Sequence, residues 1–225
     1  MARKGLICRD VCLVRNTAEP KDQVVLDGID AEFPAGALRV ISGPIGAGKS
    51  SLVHVLAGLL RPSSGEVFAD GEPVSRWISA HRDRWRRKVG IVFQQPHLMS
   101  RIYALENIML PLIPQGWHIH EVRPRALNAL ERLGGLELAG RPVASLSGGE
   151  QQIVGVARAV ACRPQFFLAD EPTAHQDTRS LERLLRLFEE LTADQATVVI
   201  TTHDVRLEEA FPPEVVISIS DGKLS

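Results

Sequence analysis

Ala37-Leu38-Arg39-Val40-Ile41-Ser42-Gly43-Pro44-Ile45-Gly46-Ala47-Gly48-Lys49-Ser50 decides the fold. Its first six residues are mostly apolar and read as a short, buried strand. The residues from Gly43 to Gly48 break that strand. Residues 49–60 follow as a predicted helix, with Leu52, Val53, Leu56 and Leu60 at helical spacing, and Arg61-Pro62-Ser63-Ser64-Gly65 ends it. Strand, glycine loop and helix in that order give the pattern G-x-x-x-x-G-K-[ST] a physical task. Glycines let backbone N–H groups curl around a phosphate without Cβ clashes, and the helix N-terminus adds partial positive charge. Lys49 is placed to reach β- and γ-phosphates, and the Ser50 hydroxyl to ligate Mg²⁺. By chance the pattern turns up in a chain of this length with a frequency on the order of 1%, so a decorative glycine turn is the weaker reading.

Working outward, more strands and helices follow. Residues 66–69 and 73–74 flank Asp70-Gly71-Glu72, a hairpin turn. Residues 89–93 read as a strand. From Gln95 to about Ala161 the reading turns helical, with Val122, Ala126, Ala129, Leu130 and Leu133 on one face and a second helix from Ser147 or Gly148 to Cys162. Residues 165–169 form a continuous apolar run, a buried strand. Residues 178–191 are an amphipathic helix, and residues 196–201 and 215–219 are two more strands. Strands alternating with helices predict an α/β fold with a largely parallel sheet, into which the helical stretch is inserted.

The chain has 225 residues, enough for one large domain at roughly 150 residues per domain. With 44% hydrophobic and 24% charged residues it is neither collagen-like, disordered nor a disulfide scaffold. Lys and Arg number 26 against 27 Asp and Glu, net −1, so no overall basic footprint for nucleic acid exists. Cys8, Cys12 and Cys162 make no C-x-x-C pair, and their odd number points to a reducing compartment. The N-terminus, with Arg3, Lys4, Arg9 and Asp10, has no uninterrupted apolar stretch, and no run approaches a membrane span. The expectation is a soluble, cytoplasmic protein.

Two further segments carry chemistry. Phe166-Phe167-Leu168-Ala169-Asp170-Glu171 is an apolar strand ending in two carboxylates. Such a strand delivers Asp170 beside the phosphate loop, where it can hold Mg²⁺, and places Glu171 to polarise an attacking water. Leu146-Ser147-Gly148-Gly149-Glu150 puts small residues and exposed N–H groups at a helix N-terminus, which is an anion cradle. The same residues read as an ordinary capping box, and both readings hold together. A chain with two phosphate cradles far apart in sequence needs an explanation.

Taken in order, these segments resemble the nucleotide-binding domain of the ABC ATPases over essentially the whole length. The eight residues from Gly43 to Ser50 match Walker A. Gln94 matches the Q-loop glutamine, Leu146-Ser147-Gly148-Gly149-Glu150 the signature, and Asp170 and Glu171 Walker B and the catalytic glutamate. Asp177 falls at the D-loop aspartate and His203 at the switch histidine. The resemblance implies a P-loop NTPase core with a mainly parallel sheet, an N-terminal antiparallel β subdomain and an inserted α-helical subdomain. It implies one domain over 1–225, with about 1–94 and 163–225 as core and about 95–162 as the helical part. ATP and Mg²⁺ are the implied cofactors. Gly43, Pro44, Ile45, Gly46, Ala47, Gly48, Lys49, Ser50 and Ser51 would hold the nucleotide, and Ser50, Gln94 and Asp170 the metal. Glu171, His203 and Gln94 would be catalytic. Ser147, Gly148, Gly149, Glu150 and Asp177 would complete the site of a second copy in a head-to-tail dimer, which accounts for the two cradles.

Ala104-Leu105-Glu106-Asn107-Ile108-Met109-Leu110-Pro111-Leu112 and Leu168-Ala169-Asp170-Glu171-Pro172-Thr173 are most similar to the lipoprotein-release, macrolide-export and cell-division group. That implies an integral membrane permease as partner and a place at the cytoplasmic face of the membrane, with no nucleic acid. Leu98, Met99, Ile102 and Tyr103 would offer the partner an apolar patch. A nucleic-acid ATPase of this family would need long heptads or a second cassette, and the chain has neither. A non-transport role such as iron–sulfur assembly stays open, whereas a plain P-loop kinase leaves the signature without a task. His118-x-His120 reads as loop, and the basic run at 82–88 as a solvated face.

Three positions depart from the family pattern. Ile153 stands where many relatives carry arginine, and Gln176 where leucine is common. No aromatic platform for adenine stands near Arg15-Asn16, and the one tyrosine is Tyr103. Triphosphate contacts do not distinguish purines, and a guanidinium plane at Arg15 stacks on either, for about 0.5–2 kcal/mol. GTP is therefore expected to compete for the site within about tenfold of ATP, or roughly 1.4 kcal/mol. A competition titration with both nucleotides checks this, and a hundredfold preference for ATP contradicts it.

Overall fold

The N-terminal residues show why period-two reading fails locally. Leu6, Cys8, Val11 and Leu13 are buried, but the inward phase slips between Cys8 and Val11, where Asp10 takes φ +48° in a bulge. These residues form β1 (Leu6–Arg15), paired antiparallel with β2 (Gln23–Phe33) so that Leu6 faces Phe33 and Arg15 faces Gln23. The structure, a computed structural model, describes residues 4–15, 23–75, 79–174 and 176–225, with side chains at all of these except 79–82. Arg3, Asn16 and His175 lie outside the described residues.

The decisive stretch forms β3 (Leu38–Ser42) and α1 (Lys49–Leu56). The helix stops four residues before the predicted end. Gly58 takes φ +69°, and the N–H groups of Leu59 and Leu60 turn back onto the His54 carbonyl, closing the last turn. β4 (Ser64–Ala69) and β5 (Glu72–Pro73) meet through Asp70 and Gly71, both at positive φ, the geometry of a type I′ hairpin. With β1 and β2 they make an antiparallel sheet in the order β2-β1-β4-β5. The basic run is only partly a solvated face. Most of it lies in α2 (Ser79–Arg86), whose Trp85 is buried with its ring edge-on to Phe166 at 4.6 Å.

After β6 (Val89–Val92) come α3 (Ala104–Met109), α4 (Ile119–Arg132) and α5 (Gly148–Ala161), with one 3-10 turn between α3 and α4 and two between α4 and α5. The chain then runs through β7 (Phe166–Asp170), α6 (Thr178–Ala193), β8 (Thr197–Thr202), α7 (Val205–Glu209), β9 (Val216–Ser220) and β10 (Lys223–Leu224). The second sheet has the order β10-β9-β3-β8-β7-β6, parallel except for β10. Among the described residues no helix is long and apolar enough to cross a membrane.

Both faces of this sheet are covered, which is why β7 and β8 read as unbroken buried runs. Phe166, Leu168 and Val199 join Leu52 and Leu56 of α1 and Leu26 and Ile29 of β2 in one core. Phe167, Ala169, Val198 and Ile200 join Val156 and Val160 of α5 and Leu184 and Phe188 of α6 in the other. In register, Ser42 of β3 faces Thr202 of β8, and Asp170 of β7 faces Thr201. Three strand ends therefore open side by side onto one edge, the edge at which open α/β sheets bind ligands.

Candidate functional site

The loop after β3 is shaped by close backbone approach. A Cβ on Gly43 would lie 2.1 Å from the Ile219 carbonyl oxygen of β9, so no other residue fits there without backbone movement. Gly48 is the N-cap of α1 at φ +104° and offers no side chain to cap the helix, so the first N–H groups of α1 stay available to an anion. Lys49 is buried. Its Nζ donates to the carbonyls of Gly43 at 2.5 Å and Pro44 at 3.0 Å and lies 3.9 Å from Glu171 Oε1.

The neighbouring strands bring the acids. Asp170 is buried at the end of β7 and accepts a hydrogen bond from Thr201 Oγ1 at 2.6 Å, which fixes its carboxylate. Glu171, also buried, sits at φ +50°, a strained conformation for a side-chain-bearing residue. Its N–H donates to the Thr201 carbonyl at 3.0 Å, holding that turn. His203 Nδ1 lies 2.7 Å from Glu171 Oε1, and the His203 N–H donates to Oε2 at 3.2 Å. A carboxylate only accepts, so Nδ1 carries the proton and Nε2 is left as an acceptor unless the ring is charged.

Lys49, Glu171 and His203 border a cavity of about 320 Å³, which Asp170 does not line. Gly46, Gly48, Lys49, Ser50, Ser51, Ile45, Gln94, Glu171 and His203 line it, and the β1–β2 pair adds Arg15, Gln23 and Val25. Arg15 thus stands in the nucleotide-sized space beside a glutamine and a valine, without an aromatic ring. Ser50, Gln94 and Asp170 offer a hydroxyl, an amide and a carboxylate oxygen, a donor set that suits Mg²⁺. Among the described residues no group of three His, Cys, Asp or Glu could hold a metal.

The second cradle lies apart. Ser147 caps α5 in a reciprocal box: its N–H donates to Glu150 Oε2 at 2.7 Å, and the Glu150 N–H to Ser147 Oγ at 3.3 Å. The Ser147 N–H and Arg141, 2.5 Å away, hold the Glu150 carboxyl below the usual carboxylate range. Ser147 and Gly148 are exposed, and none of Ser147, Gly148, Gly149 and Glu150 lines the cavity. Asp177 does not line it either. It caps α6 by accepting the Ser180 N–H at 2.8 Å, which holds its carboxyl below the ordinary value.

Three polar residues escaped the sequence reading. Gln152 donates to the Phe93 carbonyl at 3.3 Å, and Arg158 to the carbonyls of Pro96 at 2.5 Å and His97 at 3.2 Å. Both ride on α5 and pin it to the segment that carries the exposed Gln94. Asn107, fully buried in α3, accepts from the Met99 N–H at 2.8 Å and donates to the carbonyls of Met99 and Tyr103 at 3.1 Å each. The readable signal was a polar residue on an otherwise apolar helix face, which must be hydrogen-bonded if buried. His118 and His120 stack on each other at 5.5 Å, away from the cavity.

A glycine loop at a strand–helix junction, with carboxylates and an imidazole delivered by adjacent parallel strands, defines a P-loop nucleoside triphosphatase. The chain belongs to the ABC transporter family, whose profile matches residues 26–174. It is 42% identical over 217 residues to an uncharacterized ABC transporter ATP-binding protein of Thermotoga maritima, covering 96% of this chain and 91% of that one. It is 37% identical over 199 residues to the cell division ATP-binding protein FtsE of Escherichia coli K12, covering 88% and 89%. Among solved structures it matches the dimeric, post-hydrolysis state of an ATP-binding cassette bound to ADP and Pi, with a TM-score of 0.90 and 31% identity over 98% and 96% of the two chains. The α/β cassette fold and the ATPase class expected from the motifs both hold.

Replacing Glu171 by Gln keeps the side chain's shape and removes its basicity. ATP hydrolysis is expected to fall by roughly 10²–10⁴-fold, with ATP binding retained. Single-turnover hydrolysis alongside a nucleotide-binding titration measures both, and near-wild-type turnover contradicts the role.

Proposed function

We propose that this chain is the ATP-hydrolysing subunit of a membrane transporter or mechanotransmission complex, working as a head-to-tail pair. The observation that carries this reading is the separation of the two anion cradles. The loop at 43–50 shares a cavity with Glu171 and His203, while the N-terminus of α5 presents Ser147 and Gly148 to solvent outside that cavity. A second copy bringing its α5 to the open side of the first cavity gives both cradles a phosphate to hold. The dimeric cassette with ADP and Pi supports the arrangement by similarity.

Within one site the residues divide the work. The loop N–H groups and Lys49 bind the triphosphate. Ser50, Gln94 and Asp170 would hold Mg²⁺, which neutralises charge on the β- and γ-phosphate oxygens. Glu171, oriented by the His203 ring and N–H, takes a proton from the water as its oxygen bonds to the γ-phosphorus. The bond to the β–γ bridging oxygen breaks, and ADP leaves. Ser147 and Gly149 of the partner copy bind the γ-phosphate, so cleavage loosens the pair.

The membrane partner docks on the 98–103 segment, at the cytoplasmic face. Only part of the predicted apolar patch is available there. Leu98 packs against the helical core and Ile102 is half-buried, whereas Met99 and Tyr103 are 55% and 49% exposed. Asn107 fixes the backbone that holds these two side chains outward.

Two experiments test the reading. Ser147→Arg should leave ATP binding to the monomer intact and abolish the ATP-dependent dimer that Glu171→Gln accumulates, seen on size exclusion. Loss of monomer binding instead would place Ser147 in its own chain's site. Met99→Asp with Tyr103→Asp keeps the α3 start, because aspartate is a favoured N-cap. That double variant should lose the integral membrane proteins that the wild-type chain retains from solubilised membranes, with hydrolysis by the isolated chain as the folding control. Undiminished retention would exclude this docking surface.

A further inference from the structure

In the paired arrangement, one chain's Glu171 and His203 serve its own nucleotide, while its Ser147 and Gly149 serve the partner's. A continuous polar chain joins the two within a single subunit. Gln176, buried before α6, donates from Nε2 to the Gly149 carbonyl at 2.9 Å. Its own carbonyl accepts from Arg206 Nη2 at 3.4 Å. The Arg206 guanidinium grips Asp204 with Nε on Oδ1 at 3.0 Å and Nη2 on Oδ2 at 2.8 Å. Asp204 follows His203 directly, caps α7 through the Arg206 N–H at 3.0 Å, and donates its own N–H to Thr202 Oγ1 at 2.9 Å. His203 holds Glu171.

Leucine at position 176 would fill this place and donate nothing. Here a buried amide has its donor committed to the backbone carbonyl of Gly149, a residue of the second cradle. A planar guanidinium fork on a carboxylate is stiff and strongly oriented, so displacement of the 203–206 turn reaches residue 176 rather than dissipating in side-chain rotation. We propose that Gln176 is a positioning residue that links the His203 turn to the Gly149 cradle, so that occupancy of one nucleotide site sets the geometry offered to the other. The inference rests on the paired reading above.

Gln176→Met preserves an unbranched side chain of similar length and removes the donor. Three measurements on the purified full chain decide the matter: ATP affinity of the monomer, kcat for hydrolysis at saturating ATP, and the thermal midpoint. The expected result is unchanged monomer affinity with kcat reduced about tenfold, equivalent to about 1.4 kcal/mol and within the range for members of one hydrogen-bonded network. A purely structural residue would instead shift the midpoint and affinity together. Arg206→Ala, at a half-exposed guanidinium, is the second variant should Gln176→Met fail to fold, and the same split is expected. In the double variant the loss of kcat should match the larger single loss. Losses that multiply, or wild-type kcat in Gln176→Met, overturn the proposal while leaving the pair intact. Failure of Glu171→Gln to dimerise with Gln176 present overturns the paired reading and this inference with it.

Discussion

The register between β7 and β8 is the constraint on which the site depends. Asp170 stands opposite Thr201, and from that pairing follow the Thr201 hydroxyl on Asp170, the Glu171 N–H on the Thr201 carbonyl, and the meeting of His203 with Glu171. A slip of one residue would turn Asp170 to the opposite face and part the imidazole from the carboxylate. The register is secured by burial. Phe166 and Leu168 pack into one core, Phe167 and Ala169 into the other, so a slipped strand would exchange side chains of different size between two packed layers. The carboxylates and the imidazole are thus positioned by apolar packing of the strand residues that precede them.

That packing also sustains strain. Glu171 holds a left-handed backbone conformation that only a well-determined surrounding tolerates, and Gly43 lies so close to β9 that its loop is wedged in place. The loop and the glutamate are held on three parallel strands rather than on mobile segments. Electrostatic preorganisation of that kind costs no rearrangement when charge develops on the phosphate.

Legibility in the sequence followed the physics closely. Motifs that work through backbone shape, the loop at 43–50 and the cap at 147–150, were readable because few residue types permit such shapes. β7 was readable because both its faces are buried. β1 was not, because the bulge at Asp10 breaks the alternation on which recognition of a half-buried strand relies. The end of α1 was misplaced because Leu60 continues the apolar spacing after Gly58 has turned the chain. Gln152 and Arg158 went unread for a different reason: each bonds to backbone carbonyls far off in sequence, and no local pattern encodes such a partner; Asn107 bonds nearby, to Met99 and Tyr103, but along an irregular loop whose path has no sequence period. Partial burial lowers the pKa of the Arg158 guanidinium by desolvation, yet in sequence it is one more arginine on a helix.

These unread contacts change how α5 should be regarded. Its N-terminus is a cradle, and polar ties reach it at three levels: Gln176 on Gly149, Gln152 on Phe93, and Arg158 on Pro96 and His97. The last two fasten it to the segment bearing Gln94, which lines the nucleotide cavity, and the first to the turn bearing His203. Hydrophobic packing alone would let the helix slide, since dispersion and burial are weakly directional. Hydrogen bonds from buried or half-buried donors set one axial position, because a shift of even 1 Å would break their geometry. The helix is therefore indexed both to the segment bearing Gln94 and, through Gln176 and Arg206, to the turn bearing His203, two residues that line one cavity. Over a rod about 20 Å long, from the rise per residue, one helix thus holds the Gln94 segment and the His203 turn in a common frame.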